Sequence, residues 1–177
     1  MLELRPVSFD HPDAVRLIAE VQAFYRLRYG DEDATPVDPA QFAAPLGFFT
    51  VGYVDGTPVA CGGWRARDAG EDPSLADGDA EVKRMYVDDA HRGRGYARSV
   101  LAELERTAVA AGRRRAVLET GTKQPEAIAL YVSCGYTPIA PFGAYRCEPN
   151  SRCYAKEIGA GAARRPGARA ADGVPLG

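Results

Sequence analysis

Leu2 and Leu4 alternate with Glu3 and Arg5, the period-two pattern of a strand with one covered face, so Leu2 to Val7 is the first expected strand. From about Pro12 the period becomes helical. Val15, Ile18, Ala19, Val21, Gln22 and Tyr25 recur on one side, and Asp10 stands where a cap would accept from the first turn. Between Gly30 and Pro45 the pattern breaks: Asp31, Glu32, Asp33 and Asp38 stand among Pro36 and Pro39, which allows at most one short helical turn. Phe48 to Val54 and Pro58 to Arg65 are apolar, aromatic-bearing runs. Asp55-Gly56-Thr57 joins them as the strongest hairpin signal in the chain.

Arg67 to Asp79 is acidic and glycine-containing, and reads as a solvated loop before a strand that opens at Glu81. Arg98 to Ala111 is helical, with Val100, Leu101, Leu104 and Ala108 on one side and Gly112 at its end. Arg115 to Thr120 makes another strand, and Pro125 suits the first turn of a helix reaching Cys134. Strands at Thr137 to Ile139 and Arg152 to Ile158 complete the series. This order gives an α/β (α+β) fold, a mixed sheet with helices packed on it. Gly159 to Gly177, rich in Gly, Ala, Arg and Pro without a period, reads as a disordered tail, and the chain has no internal repeats.

With 177 residues, 46% of them apolar, the chain is long enough for one well-cored domain and short for two, so residues 1–158 are expected to form a single domain. A net charge of −2 argues against nucleic acid as a partner, because phosphate-backbone binding needs a basic surface. No stretch approaches a membrane span, and no basic-then-apolar leader opens the sequence, which points to a cytoplasmic protein. Cys61, Cys134, Cys147 and Cys153 lack a C-x-x-C pair and have only His11 and His91 as companions. No metal site is expected, and reduced thiols are the default, although Cys147 and Cys153 could face each other across a turn.

Chemistry concentrates between Glu81 and Arg98. Glu81-Val82-Lys83-Arg84-Met85-Tyr86-Val87 reads as a strand, and Arg92-Gly93-Arg94-Gly95-Tyr96-Ala97 as a basic, glycine-punctuated turn opening a helix. Such a helix start presents unpaired N–H groups and a positive dipole end, a natural seat for a pyrophosphate. Gly93 and Gly95 carry no Cβ, so phosphate oxygens could reach the amides from Arg94 to Arg98, while Arg92, Arg94 and Arg98 supply charge. An exposed helix start with solvated arginines is the plain alternative. A Walker loop is excluded, because Tyr96 and Ala97 stand where lysine and Ser/Thr are needed. A dinucleotide fold is disfavoured despite Glu119 at a fitting distance, since Glu81-Val82-Lys83-Arg84 is too polar for a doubly buried parallel strand.

Arg92-Gly93-Arg94-Gly95-Tyr96-Ala97 resembles the R/Q-x-x-G-x-G/A signature of the GNAT superfamily, the acetyl-CoA-dependent N-acetyltransferases. Ala127-Ile128-Ala129-Leu130-Tyr131, followed by Cys134-Gly135-Tyr136, is similar to that superfamily's downstream helix and its step into the next strand. The resemblance spans roughly Leu2 to Ile158. It implies a mixed, mostly antiparallel sheet of about seven strands flanked by about four helices.

It also implies acetyl-CoA as co-substrate, bound by Met85, Tyr86, Val87, residues Arg92 through Arg98, Gln124 and Ala127. Gln124 stands where many members have asparagine. Backbone N–H groups of Met85 and Val87 would meet the acetyl carbonyl and the pantetheine arm. An amine of pKa near 10.4 must lose a proton to attack. Glu81 occupies the position of the superfamily's base and Tyr131 that of its acid; alternation puts Glu81, Lys83, Met85 and Val87 on one strand face. Ion pairing for Glu81 and core packing for Tyr131 are the structural alternatives. Residues from Tyr25 to Phe49 and from Pro138 to Arg146 would wall the acceptor side, setting Asp31, Glu32, Asp33 and Asp38 beside Phe42, Phe48, Phe142 and Tyr145. The expected acceptor is a small-molecule amine or an amino-acid-like one, and the resemblance allows a homodimer. A non-catalytic acyl-CoA-binding module and transfer to peptide or protein amines are the alternatives.

Overall fold

The alternating and helical runs of the sequence become seven strands and three α-helices in a computed structural model that describes residues 1–159. The strands are β1 (Glu3–Pro6), β2 (Gly47–Val54), β3 (Thr57–Arg67), β4 (Asp79–Val87), β5 (Arg115–Gly121), β6 (Thr137–Ile139) and β7 (Ser151–Glu157). They form one mixed sheet in the order β1-β2-β3-β4-β5-β7-β6, in which only β4 and β5 run parallel. The helices are α1 (Pro12–Tyr29), α2 (Tyr96–Ala110) and α3 (Pro125–Ser133), with 3₁₀ turns at Pro39–Phe42 and Asp89–His91. The acidic stretch after α1 thus yields one short turn, as its broken periodicity requires, and the described residues hold three α-helices where about four were expected. Asp55 and Gly56, both at positive φ, turn β2 into β3.

The two faces of the sheet carry separate cores. Val100, Leu101, Leu104 and Ala108 of α2 pack on Trp64, Val82 and Leu118, joined by Tyr131 of α3 and Tyr136. Close approach of α2 depends on Gly62, where a Cβ would stand 2.9 Å from Val100 Cγ1. On the opposite face, Ala14 and Leu17 of α1 meet Phe42, Phe49, Val51 and Cys61. The buried stripe of α1 is therefore Ala14, Leu17 and Val21, displaced from the expected one, and Val15 is exposed. The α1 cap is His11, whose Nδ1 accepts from the Asp13 N–H at 3.2 Å, in place of Asp10.

The segment between β3 and β4 is stitched down where a solvated loop was expected. Arg115 forks onto both Asp79 oxygens at 2.7 Å, Arg146 reaches Asp72 at 3.1 Å, and Leu75 packs on Val117 and Phe142. All four cysteines are free thiols. No helix among the described residues is long and apolar enough to cross a membrane. The tail expected from Gly159 lies, from residue 160 on, outside the described residues.

Candidate active site

β4 and β5 pair only from Asp79–Glu81 to Arg115–Val117 and then part. In the same stretch β4 carries one residue more than β3: Gly63 stands opposite Lys83, but Cys61 opposite Tyr86. Arg84 absorbs this bulge at φ +57°. The expected alternation fails here for that reason. Lys83 and Arg84, neighbours in sequence, both turn toward Asp33 on the α1 side, whereas Met85 and Val87 pack with the α2-side core.

A cavity of about 450 Å³ opens at the parting, lined among others by Tyr25, Asp33, Lys83, Arg84, Glu119 and Tyr131. Of the residues expected to act, it brings together Met85, Gln124, Ala127 and Tyr131. Of the residues expected on the acceptor side, Asp31, Glu32, Asp33 and Tyr145 line it too. Phe42 and Phe142 instead belong to the cores, and Asp38 caps the first 3₁₀ turn.

Glu81 lies outside this lining. Its Oε2 accepts from Arg65 Nε at 2.8 Å and Arg67 Nη1 at 2.6 Å, with the carboxylate almost wholly covered. Burial alone would raise its pKa, but Lys83, Arg65 and Arg67 outweigh burial and hold it below the ordinary carboxylate value. A carboxylate so stabilised accepts a proton poorly.

Glu119 is the opposite case. It projects from β5 into the cavity, where burial pushes its pKa up to about 7 against the opposing pull of Lys83 and of Ser151, whose Oγ donates to Oε1 at 3.1 Å. The motif reading passed over it as a site residue. Its signal was an acidic side chain two positions after Val117, and so on the same face of a strand whose middle, Ala116-Val117-Leu118, is apolar.

Tyr131 is buried at the cavity wall and its hydroxyl has only Met85 Sδ, at 3.9 Å, within reach among the described residues. Burial pushes its pKa up to about 12, so the phenol stays protonated and able to donate. Gln124 precedes α3 without capping it, and its Nε2 donates instead to the Tyr29 hydroxyl at 3.2 Å.

Gly93 and Gly95 adopt φ of +75° and +81°, and a Cβ built on either would meet nothing within 4 Å. Gly95 precedes α2 with no side-chain cap, and the N–H groups from Gly93 to Arg98 donate to no acceptor among the described residues. Open space, unpaired amides and a helix dipole together fit a diphosphate. Arg92 is held by Val87 O at 3.2 Å and Asp89 at 2.8 Å, and Arg98 by Ser133 at 2.8 Å. His91 pairs with Asp88 at 2.8 Å and stacks on Tyr96. Tyr86 and Val87 lie beyond the bulge and outside the cavity lining.

The sequence profile of the acetyltransferase (GNAT) family matches residues 15–136. An IAA acetyltransferase of Azospirillum brasilense is 36% identical over 137 residues, 77% of this chain and 85% of that protein. Among solved structures, one provisionally described as an acyl-CoA N-acyltransferase, from Klebsiella pneumoniae, superposes with a TM-score of 0.73 at 26% identity, covering 89% of this chain and 98% of the other. The GNAT domain of S. lividans PAT shares the fold, with a TM-score of 0.65 at 23% identity over 89% and 90% of the two chains. A parted β4–β5 seam, an amide-lined helix start and these matches lead to one assignment: the chain belongs to the acetyltransferase (GNAT) family and is an acyltransferase.

Proposed function

We propose that this enzyme moves an acetyl group from acetyl-CoA to the primary amine of a small-molecule or amino-acid-like acceptor by direct attack, with Glu119 as proton acceptor and Tyr131 as proton donor. The observation that carries this reading is that one cavity, at the parting of β4 and β5, is lined by both the Glu119 carboxyl, which burial makes hold its proton more firmly, and the Tyr131 phenol, which burial keeps protonated. Groups whose surroundings drive them apart in this way can divide the acid and base tasks. Glu119 is partly ionised at neutral pH and holds a proton more firmly than an ordinary glutamate, which suits withdrawal of a proton from the acceptor nitrogen. Tyr131 then gives its proton to the departing sulfur.

Acetyl-CoA supplies the activated acyl group and the thiolate. Its diphosphate would lie on the amides of residues 93–98, with Met85, Gln124 and Ala127 along the remainder. Glu81 keeps a structural task, as the shared acceptor of Arg65 and Arg67. A cavity of about 450 Å³ favours a small acceptor over a folded protein. Four free thiols suit the cytoplasm. Thiol release from acetyl-CoA in the presence of an amine panel tests the reading. Amine-dependent release is expected, and binding of acetyl-CoA without release to any amine would reduce the chain to a CoA-binding module.

A further inference from the structure

The β4 bulge aims two consecutive cations, Lys83 and Arg84, at a single oxygen. Lys83 Nζ donates to Asp33 Oδ2 at 3.1 Å, and Arg84 Nη1 donates to the same atom. Both side chains are more than nine-tenths covered. Asp33 is itself fixed: its N–H donates to Gln22 Oε1 at 3.0 Å, its carbonyl accepts from Gln22 Nε2 at 3.2 Å, and its Oδ1 accepts from the Thr35 N–H at 2.9 Å. One carboxylate oxygen therefore serves two buried charges. Arg84 Nε is buried without a partner, and Nη2 donates to nothing among the described residues.

The neighbouring acids do not redress this. Glu81 is spent on Arg65 and Arg67, and the Glu71 that also meets Arg67 is solvent-exposed at its carboxylate. Glu119 loses its charge whenever it takes up a proton, after which Asp33 is the one covered carboxylate in the cavity lining that faces Lys83 and Arg84, since Asp31, Glu32 and Glu148 of the same lining are solvent-exposed. An unpaired buried cation is costly, and an acceptor bearing only an ammonium group would add to the excess. A carboxylate would relieve it, and would also favour proton uptake at Glu119 by its field.

Resting on the acetyl-transfer reading above, we infer that the acceptor carries a carboxylate beside its amine, as an α-amino acid does, and that Lys83 and Arg84 bind that carboxylate while the amine faces Glu119. Lys83 and Arg84 are then the residues that set acceptor specificity.

The test follows thiol release from acetyl-CoA with the proteinogenic α-amino acids, each measured beside its amide and its decarboxylated amine, such as phenylalanine, phenylalaninamide and phenethylamine. At least one amino acid should exceed both companions in kcat/KM by about tenfold or more, chiefly through KM, the scale of a charge-assisted hydrogen bond. That ratio should fall toward one in Lys83→Met and in Arg84→Asn, asparagine being chosen because it tolerates the left-handed backbone. Should either variant fail to fold, the wild-type ratios decide alone, together with competition by 3-phenylpropionate against the acceptor. Amides and amines used as well as the acids overturn the carboxylate proposal and leave the transferase reading standing. Release with no member of the panel overturns both.

Discussion

Arg65 Nε donates to Glu81 Oε2 at 2.8 Å, and the two side chains are only 6% and 4% exposed. This pair separates two carboxylates that the motif alone does not distinguish. Glu81→Gln leaves the buried Arg65 guanidinium facing a neutral amide, while Arg67 keeps Glu71, and should cost about 3–5 kcal/mol of stability. Glu119→Gln should instead lower kcat by about a hundredfold while the fold holds. Urea unfolding followed by the fluorescence of Trp64, the one tryptophan, measures the first effect and steady-state kinetics the second. A Glu81→Gln protein of full stability and negligible turnover would return the base to Glu81.

Glu119 also links stability to pH. Its pKa is about 7 in the folded chain against an ordinary 4.5, so between these values the folded state keeps a proton that the unfolded chain has released. Stability should therefore fall as pH rises from about 4.5 to 7, and Glu119→Gln should remove that decline. In the wild type kcat/KM should climb through about pH 7. Urea midpoints and rates measured across this range check both slopes.

Asp33 works in the other sense. Burial opposes its ionisation, yet Lys83 and Arg84 hold its carboxyl well below the ordinary 3.8. Its contribution is thus complete above about pH 4 and is lost as pH falls toward the folded-state value. Asp33→Asn should cost about 3–5 kcal/mol at neutral pH, with the gap to wild type closing in acid. Acid titration of the two proteins, followed by circular dichroism, would reveal a constant gap if the ion pairs contribute nothing.

Tyr131→Phe keeps the ring that packs 5.8 Å from Tyr136 and deletes only the hydroxyl. If that hydroxyl donates to the leaving sulfur, kcat should drop by about tenfold to a hundredfold with Tm nearly unchanged. Unaltered turnover would make Tyr131 a packing residue.

Gly95→Ala places a methyl group in open space but at φ +81°, so about 1–2 kcal/mol of backbone strain is expected. The larger effect should be on acetyl-CoA, whose Kd should rise by about tenfold as the diphosphate loses close contact with the amides. Isothermal titration compares the two proteins directly, and equal affinities would remove the diphosphate from this turn.

Much of the architecture was legible because it rests on period and punctuation. Val100, Leu101, Leu104 and Ala108 share the buried side of α2, and Asp55-Gly56 turns the hairpin. The glycine turn was equally readable, since few residue types allow both the positive φ and the open approach found at Gly93 and Gly95. What escaped depended on contacts between distant segments. Arg84 at positive φ leaves no trace in composition, so the alternation of Glu81, Lys83, Met85 and Val87 looked unbroken. The ion pairs that cover Glu81 come from Arg65 and Arg67 on another strand, and Glu119 owes its raised pKa to enclosure that no local pattern encodes.

The additional residue in β4 makes the enzyme sensitive to parity as well as to chemistry. Removing one position between Lys83 and Tyr86 would restore strict alternation, so that residues upstream and downstream of the deletion could no longer all keep their present sides. Either the cations would leave the cavity or the hydrophobic interior would be turned out to water. Such a frame error should be worse than any single exchange of side chain in the same stretch.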